Sequence, residues 1–180
     1  MLGFDYSARL RQLIGQIEWQ IRLPEAWDTF FDERGVAASS QSDRRRHQRM
    51  NVRTPGVMWF CETIRQIPRP AEPVGVYTRD LSRRGIGLVA PLQLFPEERL
   101  RVALQTFWVE LRVVSCRRVT DACYIVGNEL VAQHPPGPEA FTLPTVTAAE
   151  DASPGWDAEG HPQDPANALR TPSLVAESTA

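Results

Sequence analysis

The sequence Asp80-Leu81-Ser82-Arg83-Arg84-Gly85 joins two runs of residues that favour β-strands, 74–78 before it and 86–89 after it. Aspartate and serine have short polar side chains that favour turns, and the glycines at 85 and 87 are able to adopt a positive φ. The segment therefore predicts a β-hairpin whose turn is built from Asp80, Ser82 and Gly85.

The same turn carries groups that suit a nucleotide base. A carboxylate accepts two hydrogen bonds side by side, and one edge of guanine presents two donors, a ring N–H and an exocyclic amine. About thirty residues upstream lies a second polar stretch, Asp43-Arg44-Arg45-Arg46-His47-Gln48-Arg49, in which Arg45 and Arg49 have the spacing R-x-x-x-R. Guanidinium groups bind phosphate in a two-pronged fork and stack on purine rings. Together the two stretches indicate a site for a guanine nucleotide.

In their order and separation, R-x-x-x-R and D-x-S-x-x-G resemble the signature of the PilZ domain, the bacterial receptor domain for cyclic di-GMP. Two later stretches, residues 111–117 and residues 124–130 with Gly127, are similar to the last two barrel strands of that family. The resemblance covers residues 43–131. It implies a mostly β fold, a small antiparallel six-stranded barrel.

The resemblance also implies a set of ligand-binding residues. Those that match the family's motifs are Arg45, Arg49, Asp80, Ser82 and Gly85. Arg44 adds a third guanidinium, which we expect to stack on a second ligand molecule. Asn128 and Glu129 are further candidates, whereas Arg83 and Arg84 are expected to point to solvent. No catalytic residue, metal ligand or cofactor is implied besides the ligand, cyclic di-GMP.

The hydrophobic pattern supports a barrel independently of the motifs. Many short apolar runs are separated by Gly and Pro, with no long helix between them, which predicts an antiparallel sheet that closes on itself. The predicted strands are residues 54–62, 74–78, 86–90, 100–105, 107–117 and 123–131. The alternation within residues 111–116 leaves open which face of that strand is core.

The flanks of the barrel have a different character. Apolar residues recur at helical spacing from Leu10 to Ile21, which predicts a helix over residues 7–23 with Ser7 as its N-cap. A second helix is predicted over residues 25–33, with Trp27, Phe30 and Phe31 on one side, so that the two form a helical hairpin. This hairpin either packs against the barrel or mediates self-association or partner binding.

The predicted domain organisation is a helical segment (1–35), a linker with the Arg-rich loop (36–50), the barrel (51–134) and a disordered acidic tail rich in Pro (135–180). Members of the family often end with a C-terminal helix, and this chain has prolines there instead. The N-terminal helices are therefore expected to cover the open end of the barrel.

The composition excludes several classes of function. All twenty basic residues are Arg, so a phosphate loop that ends in Gly-Lys is absent, and no Ser/His/Asp or Cys/His set lies on predicted rigid elements. The net charge of −2 is too small to favour a general DNA- or RNA-binding protein. Three cysteines without a C-x-x-C pair argue against a disulfide framework or a zinc site, and no segment is apolar enough to span a membrane. These features favour a cytoplasmic protein that is not an enzyme.

The sequence thus predicts a cyclic di-GMP receptor that signals to an unidentified protein partner, or to its own oligomer through the N-terminal helices. Two alternatives remain open at this point. One is a PilZ-like interaction module that does not bind nucleotide, for example in type IV pilus assembly. The other is a small barrel that binds RNA or single-stranded DNA, although the arginines cluster in loops rather than on one face of a sheet.

Overall fold

The computed structural model describes residues 3–37, 48–144 and 147–148. Helix α1 spans Tyr6–Gln16, and two short 3-10 helices span Glu25–Trp27 and Pro138–Phe141. The strands are β1 (Gly35–Val36), β2 (Met50–Asn51), β3 (Pro55–Thr63), β4 (Val74–Ser82), β5 (Gly85–Ala90), β6 (Arg99–Ala103), β7 (Trp108–Thr120), β8 (Cys123–His134) and β9 (Thr147–Ala148). No helix in residues 3–37 and 48–144 has the length and apolarity needed to span a bilayer.

Six of these strands close into an antiparallel barrel, in the order β3-β4-β5-β8-β7-β6 and back to β3. Closure depends on β3, which pairs with β4 through its first half and with β6 along most of its length. The predicted mostly β fold and six-stranded barrel are therefore confirmed, and each predicted barrel strand overlaps an observed one, although β4, β7 and β8 extend beyond their predicted ends. Three short strands extend the sheet, since β2 pairs with the far end of β4, β1 pairs with β2, and β9 runs parallel to β3.

The barrel interior is built by the two-residue alternation of its strands. In β3, for example, Met58 and Phe60 point inward and Val57 and Trp59 point outward, and all four are buried. The interior cluster also includes Val76, Ile86, Leu88, Leu100, Val102, Leu111, Val113 and Val126. The outward residues are buried too because other segments cover the outside of the barrel.

The N-terminal helix is shorter than its apolar pattern predicts. Asp5, not Ser7, is the N-cap, since its Oδ1 accepts a hydrogen bond from the backbone N–H of Ala8 at 2.8 Å. The helix ends at Gln16 rather than near residue 23, and the chain turns extended at Ile17. The Trp19 ring leaves the helical path to stack on Tyr77 of β4, with centroids 4.8 Å apart, so tertiary packing decides where the helix ends.

The second predicted helix is also wrong in extent. Only Glu25–Trp27 is helical, as a 3-10 turn, and residues 28–32 continue as turns. No helical hairpin forms in the described residues. The aromatic side chains of this segment pack on the barrel instead, where Phe30 is buried against Val89 and Cys123, and Phe31 meets Tyr77 edge-on at 5.0 Å.

Helix α1 covers the outer face of β3, β6 and β7, so the expectation that it covers an open end of the barrel is wrong. Tyr6 and Leu10 pack on outward residues of these strands, including Trp59 and Trp108. The Tyr6 hydroxyl lies 2.7 Å from the carbonyl oxygen of Leu104 and 3.0 Å from that of Phe107, at the β6–β7 turn. This pair of contacts fixes the helix to the barrel.

Ordered structure also continues beyond residue 134, where the composition predicts a disordered tail. The 3-10 helix Pro138–Phe141 packs beside α1, with Ala140 fully buried and the Phe141 ring 5.1 Å from Tyr6. The remaining residues of the predicted tail, apart from those up to 144 and the strand β9, lie outside the described residues.

A buried ion pair joins two loops at one end of the barrel. The Arg69 guanidinium binds the Glu98 carboxylate in a two-pronged contact, through Nε to Oε1 at 2.7 Å and Nη2 to Oε2 at 2.5 Å. Glu98 is 1% exposed and also accepts from the backbone N–H of Phe95 at 2.8 Å. Arg69 belongs to the proline-rich loop between β3 and β4, so the pair fixes that loop to the β5–β6 connection.

Removal of the Arg69–Glu98 ion pair should destabilise the barrel. We expect Arg69→Ala to lower the free energy of unfolding by about 3–5 kcal/mol in urea denaturation, because it leaves a buried, unpaired carboxylate. Arg99→Ala, which removes an exposed pair with Glu62, should cost less than about 1 kcal/mol. The double variant Arg69→Met/Glu98→Leu should recover most of the loss, and equal costs for the two alanine variants would contradict this role.

The Tyr6 contact should make the stability of the fold depend on pH in the alkaline range. Burial raises the pKa of the Tyr6 hydroxyl from 10 to about 12, since the phenolate would be desolvated. The neutral hydroxyl therefore stabilises the fold fully below pH 10, and this contribution is lost as the pH rises from 10 through 12. Tyr6→Phe should be less stable by about 1 kcal/mol at pH 8, and its difference from the parent should shrink above pH 10.

Candidate functional site

A β-bulge in β4 places the polar residues of the central motif on the outside of the barrel. Val74 and Val76 face the interior, yet after a register shift between Thr78 and Asp80 it is Leu81 that packs on the core. The shift reverses the alternation, so Asp80 and Ser82 face outward. The prediction that these two residues form the turn is wrong, because β4 continues to Ser82 and only Arg83 and Arg84 form the turn.

Three outward-facing glycines form the floor of a cleft at this place. Gly85 and Gly87 lie on β5, and Gly127 lies opposite Gly87 on β8. Neither Gly85 nor Gly87 has a positive φ, so the predicted reason for these glycines is wrong. Glycine is required at these positions because any larger residue would place its Cβ too close to a neighbouring atom. A Cβ at Gly85 would lie 2.3 Å from the carbonyl oxygen of Asn128, and one at Gly87 would lie 2.7 Å from Oδ2 of Asp80.

The Asp80 carboxylate lies over Gly87 between two guanidinium groups. Its Oδ1 accepts a hydrogen bond from Nη1 of Arg49, and its Oδ2 lies 3.6 Å from Nε of Arg79. Asp80 is only 4% exposed, so these cations compensate a charge that would otherwise be buried without a partner. The structure thus joins one arginine of the R-x-x-x-R stretch directly to the aspartate of the second motif.

The two ends of the Arg-rich segment are held by a short ladder. The backbone N–H of Ala37 donates to the carbonyl oxygen of Arg49 at 2.8 Å, next to the pairing of β1 with β2. Strand β2 in turn pairs with β4 at Asp80 and Leu81. The ends of this segment, predicted to be an unstructured linker, are therefore paired strands. Arg44 and Arg45 lie outside the described residues, and their role stays a prediction.

Ser82 and the two turn arginines complete one side of the cleft. The Ser82 hydroxyl donates to the carbonyl oxygen of Gly85 at 3.1 Å, which closes the hairpin, and its oxygen can still accept a hydrogen bond. Arg83 and Arg84 are both exposed, as predicted, and Arg84 also lines the cleft.

The opposite wall comes from β7 and β8. Ser115 and Arg112 line it, and the Arg112 guanidinium is held by Glu129 and, at 3.2 Å, by Glu97. Asn128 is buried and donates through Nδ2 to the carbonyl oxygen of Ile86 at 3.0 Å. The alternation of β7 changes at a register shift between Val113 and Ser115, so no single face of this strand is core along its whole length.

The cleft has a volume of about 650 Å³, within the usual range for small-molecule sites. Four guanidinium groups line it against two carboxylates, those of Asp80 and Glu129. Burial lowers the pKa of the Arg79 guanidinium, Asp80 acts to raise it, and the neighbouring cations Arg53, Arg49 and Arg117 lower it further. The excess positive charge indicates an anionic ligand.

The structure brings together Arg49, Asp80, Ser82 and Gly85 of the predicted site. It adds residues that the sequence analysis did not assign to the site, namely Arg79, Gly87, Arg112, Ser115 and Gly127. Regular alternation places Arg79 and Asp80 on opposite faces, and only the bulge brings both to the cleft. Nothing in the sequence marks the position of that bulge.

Among the residues that the structure describes, no group of three or more His, Cys, Asp or Glu side chains is placed to hold a metal ion. His134 lies away from the cleft, stacked on Trp108 with ring centroids 3.9 Å apart. The cleft itself offers hydrogen bonds, cations and a flat glycine floor, which suit a flat, anionic molecule.

A family model described as "PilZ domain" matches residues 43–132. The matched range includes both motifs and all six barrel strands except the last two residues of β8. No curated protein and no solved structure matches the chain.

The close approach at the glycine floor gives a test by substitution. Gly85→Ala should lower the free energy of unfolding by about 1–3 kcal/mol, because its Cβ meets a backbone oxygen of β8 that cannot move without parting the strands. Gly127→Ala should be nearly neutral, since the nearest atom, Oγ of Ser115 at 2.7 Å, can rotate away. Urea denaturation measures both, and equal losses would contradict the packing explanation.

Proposed function

The chain belongs to the PilZ domain family, whose model spans half of it, and we propose that it is a receptor that binds cyclic di-GMP in the glycine-floored cleft. The observation that carries the proposal is the direct contact between Arg49 and Asp80, residues 31 positions apart that belong to the two separate motifs. Neither motif is specific by itself. Their meeting at one cleft of suitable size and charge supports a common ligand.

We propose one or more protein groups for the phosphates and for the guanine bases of the ligand. The guanidiniums of Arg45 and Arg49 are proposed to bind phosphate and to stack on guanine, and Asp80 to accept from the guanine edge. Ser82 accepts one hydrogen bond, since its hydroxyl hydrogen is donated to Gly85, and Gly85 lets β5 lie close against β8 beneath the ligand. In the structure Arg49 occupies the Asp80 carboxylate, so the ligand must share that carboxylate or displace the guanidinium.

The proposed output is a change in the segment that carries the arginines. Its two ends are paired through β1 and β2, and Val36 and Met50 of this ladder are cross-strand partners that are both about half exposed. Arg49 directly precedes Met50, so a ligand that contacts Arg49 lies one residue from this exposed pair. A protein partner, or a second copy of the chain, could therefore detect the bound state there, at the end of the N-terminal segment.

The remaining parts of the proposal follow from the family and the chemistry of the cleft. PilZ domains are ligand-binding adaptors, so we propose binding rather than catalysis, with no cofactor. None of the three cysteines, all of which the structure describes, is part of a disulfide, which suits a reducing compartment such as the cytoplasm. We propose no role in binding DNA or RNA, because the arginines of the cleft surround one pocket of limited size.

Variants of the two motifs test the ligand by isothermal titration with cyclic di-GMP. A charge-assisted hydrogen bond contributes about 1.5–3 kcal/mol, so Arg45→Ala, Arg49→Ala or Asp80→Ala should weaken binding by about tenfold to over a hundredfold. Arg44→Ala should lower the number of ligand molecules bound. GMP and cyclic di-AMP serve as ligand controls, and neither should saturate the site.

Arg118→Ala is the matched protein control, because Arg118 lies near the β7–β8 turn, paired with Asp121 and outside the cleft. It removes the same charge and should bind like the parent. If Arg49→Ala bound equally well, the site assignment would be wrong. A folded, monodisperse parent protein that does not bind cyclic di-GMP would overturn the receptor proposal in favour of an interaction module without nucleotide.

A further inference from the structure

Arg79 reaches the cleft because it is the extra residue of the bulge in β4. The register passes from Thr78 opposite Leu88 to Asp80 opposite Gly87, so Arg79 has no partner on β5. Bulges re-aim side chains, and the Arg79 side chain lines the cleft beside Asp80 while remaining 39% exposed. It is therefore both positioned and accessible to a ligand.

A neighbouring arginine, Arg53, binds the backbone of the bulge. Nη1 of Arg53 donates to the backbone carbonyl oxygen of Arg79, and Nη2 of Arg53 pairs with Glu33. The Arg53 guanidinium also lies over the Phe30 ring, 4.5 Å from its centroid, and its side chain is only 6% exposed. Both terminal nitrogens of Arg53 are thus engaged in structural contacts, whereas its buried Nε has no hydrogen-bond partner in the described part of the chain. Arg53 therefore holds the backbone at Arg79 in place, and its low exposure keeps it from binding a ligand itself.

The charge of Arg79 is compensated less well than that of the arginine across the cleft. Arg112 has two carboxylate partners, Glu97 and Glu129. Within residues 3–37 and 48–144, the one carboxylate paired with Arg79 is that of Asp80, at 3.6 Å, and Asp80 is shared with the closer Arg49. Burial lowers the pKa of the Arg79 guanidinium most, the adjacent cations lower it further, and Asp80 acts in the opposite direction. A bound phosphate would supply the missing negative charge.

We propose that Arg79 is a phosphate-binding residue of this cleft, contacting a phosphodiester group of the ligand from the side opposite Arg112. This rests on the proposed function, since the ligand is taken to be cyclic di-GMP. The contact adds a binding group that lies outside both sequence motifs. It also places the phosphate on the β4 side of the glycine floor, beside Asp80.

The test compares Arg79→Ala, Arg79→Gln and Arg79→Lys with the control Arg118→Ala by titration with three probes: cyclic di-GMP, inorganic pyrophosphate and guanosine. We expect Arg79→Ala and Arg79→Gln to lose about tenfold or more in affinity for cyclic di-GMP, and Arg79→Lys to lose less, because it keeps the charge but not the fork. A cooperative thermal unfolding transition confirms that each variant folds. If Arg79→Ala does not fold, Arg79→Gln takes its place in the comparison.

The dependence of affinity on salt distinguishes a direct contact from mere positioning of Asp80. If Arg79 contacts the ligand directly, the variant Arg79→Ala has one ionic contact fewer than the parent. Raising the NaCl concentration should then lower the affinity of Arg79→Ala less steeply than the affinity of the parent. If Arg79 only positions Asp80, the affinity drops but the steepness stays the same, and the proposal is overturned. A loss in Arg118→Ala as large as that in Arg79→Ala would also overturn it, since net charge alone would then explain the effect.

The three probes separate this proposal from the receptor proposal. If the parent binds cyclic di-GMP and Arg79→Ala binds it equally well, the receptor stands and the role of Arg79 is wrong. If the parent binds pyrophosphate but not cyclic di-GMP, and Arg79→Ala loses pyrophosphate, the receptor proposal fails and the phosphate site stands. A parent that binds none of the probes, or guanosine alone, overturns the phosphate site.

Discussion

One extra residue in β4 determines both the core and the cleft. Val74 and Val76 point into the barrel, so unbroken alternation would carry the carboxylate of Asp80 into the apolar interior, at a large cost in desolvation. The bulge between Thr78 and Asp80 instead turns Asp80 outward and Leu81 inward. The same strand therefore packs the core along its first half and carries polar residues that line the cleft along its second half.

Although Asp80 faces the outside of the barrel, its side chain is almost fully buried, so its carboxylate requires a nearby cation. Arg49 supplies it, and its backbone is tied to Ala37 and hence to the N-terminal segment. Arg53 makes a parallel link, from the bulge carbonyl at Arg79 to Glu33. The N-terminal segment is thus connected to the cleft at two points, which gives binding in the cleft a physical route to the part of the chain that precedes the barrel.

The strands were predictable because each carries local signals: β-forming residues bounded by Gly, Pro and polar turns. The flanking helices were predicted too long, because their apolar spacing suits packing on the barrel as well as it suits a helix. Trp19 shows the difference, since its ring stacks on Tyr77 and not along the helix. Of the residues that line the cleft, Arg49, Asp80, Ser82 and Gly85 were marked by the motifs, whereas Arg79 and Arg112 were not, because only strand pairing brings them there.

By itself, the sequence determined the number of barrel strands, their order along the chain and the two polar motifs, because these depend on residues close to one another in the chain. Tertiary structure alone decided which face each motif residue occupies, since a single inserted residue reverses the alternation and leaves no mark in composition. The tertiary structure also shows why glycine is required at residues 85 and 87. Gly85 and Gly87 serve close approach to Asn128 and Asp80 rather than a turn, and those neighbours come from other strands of the barrel.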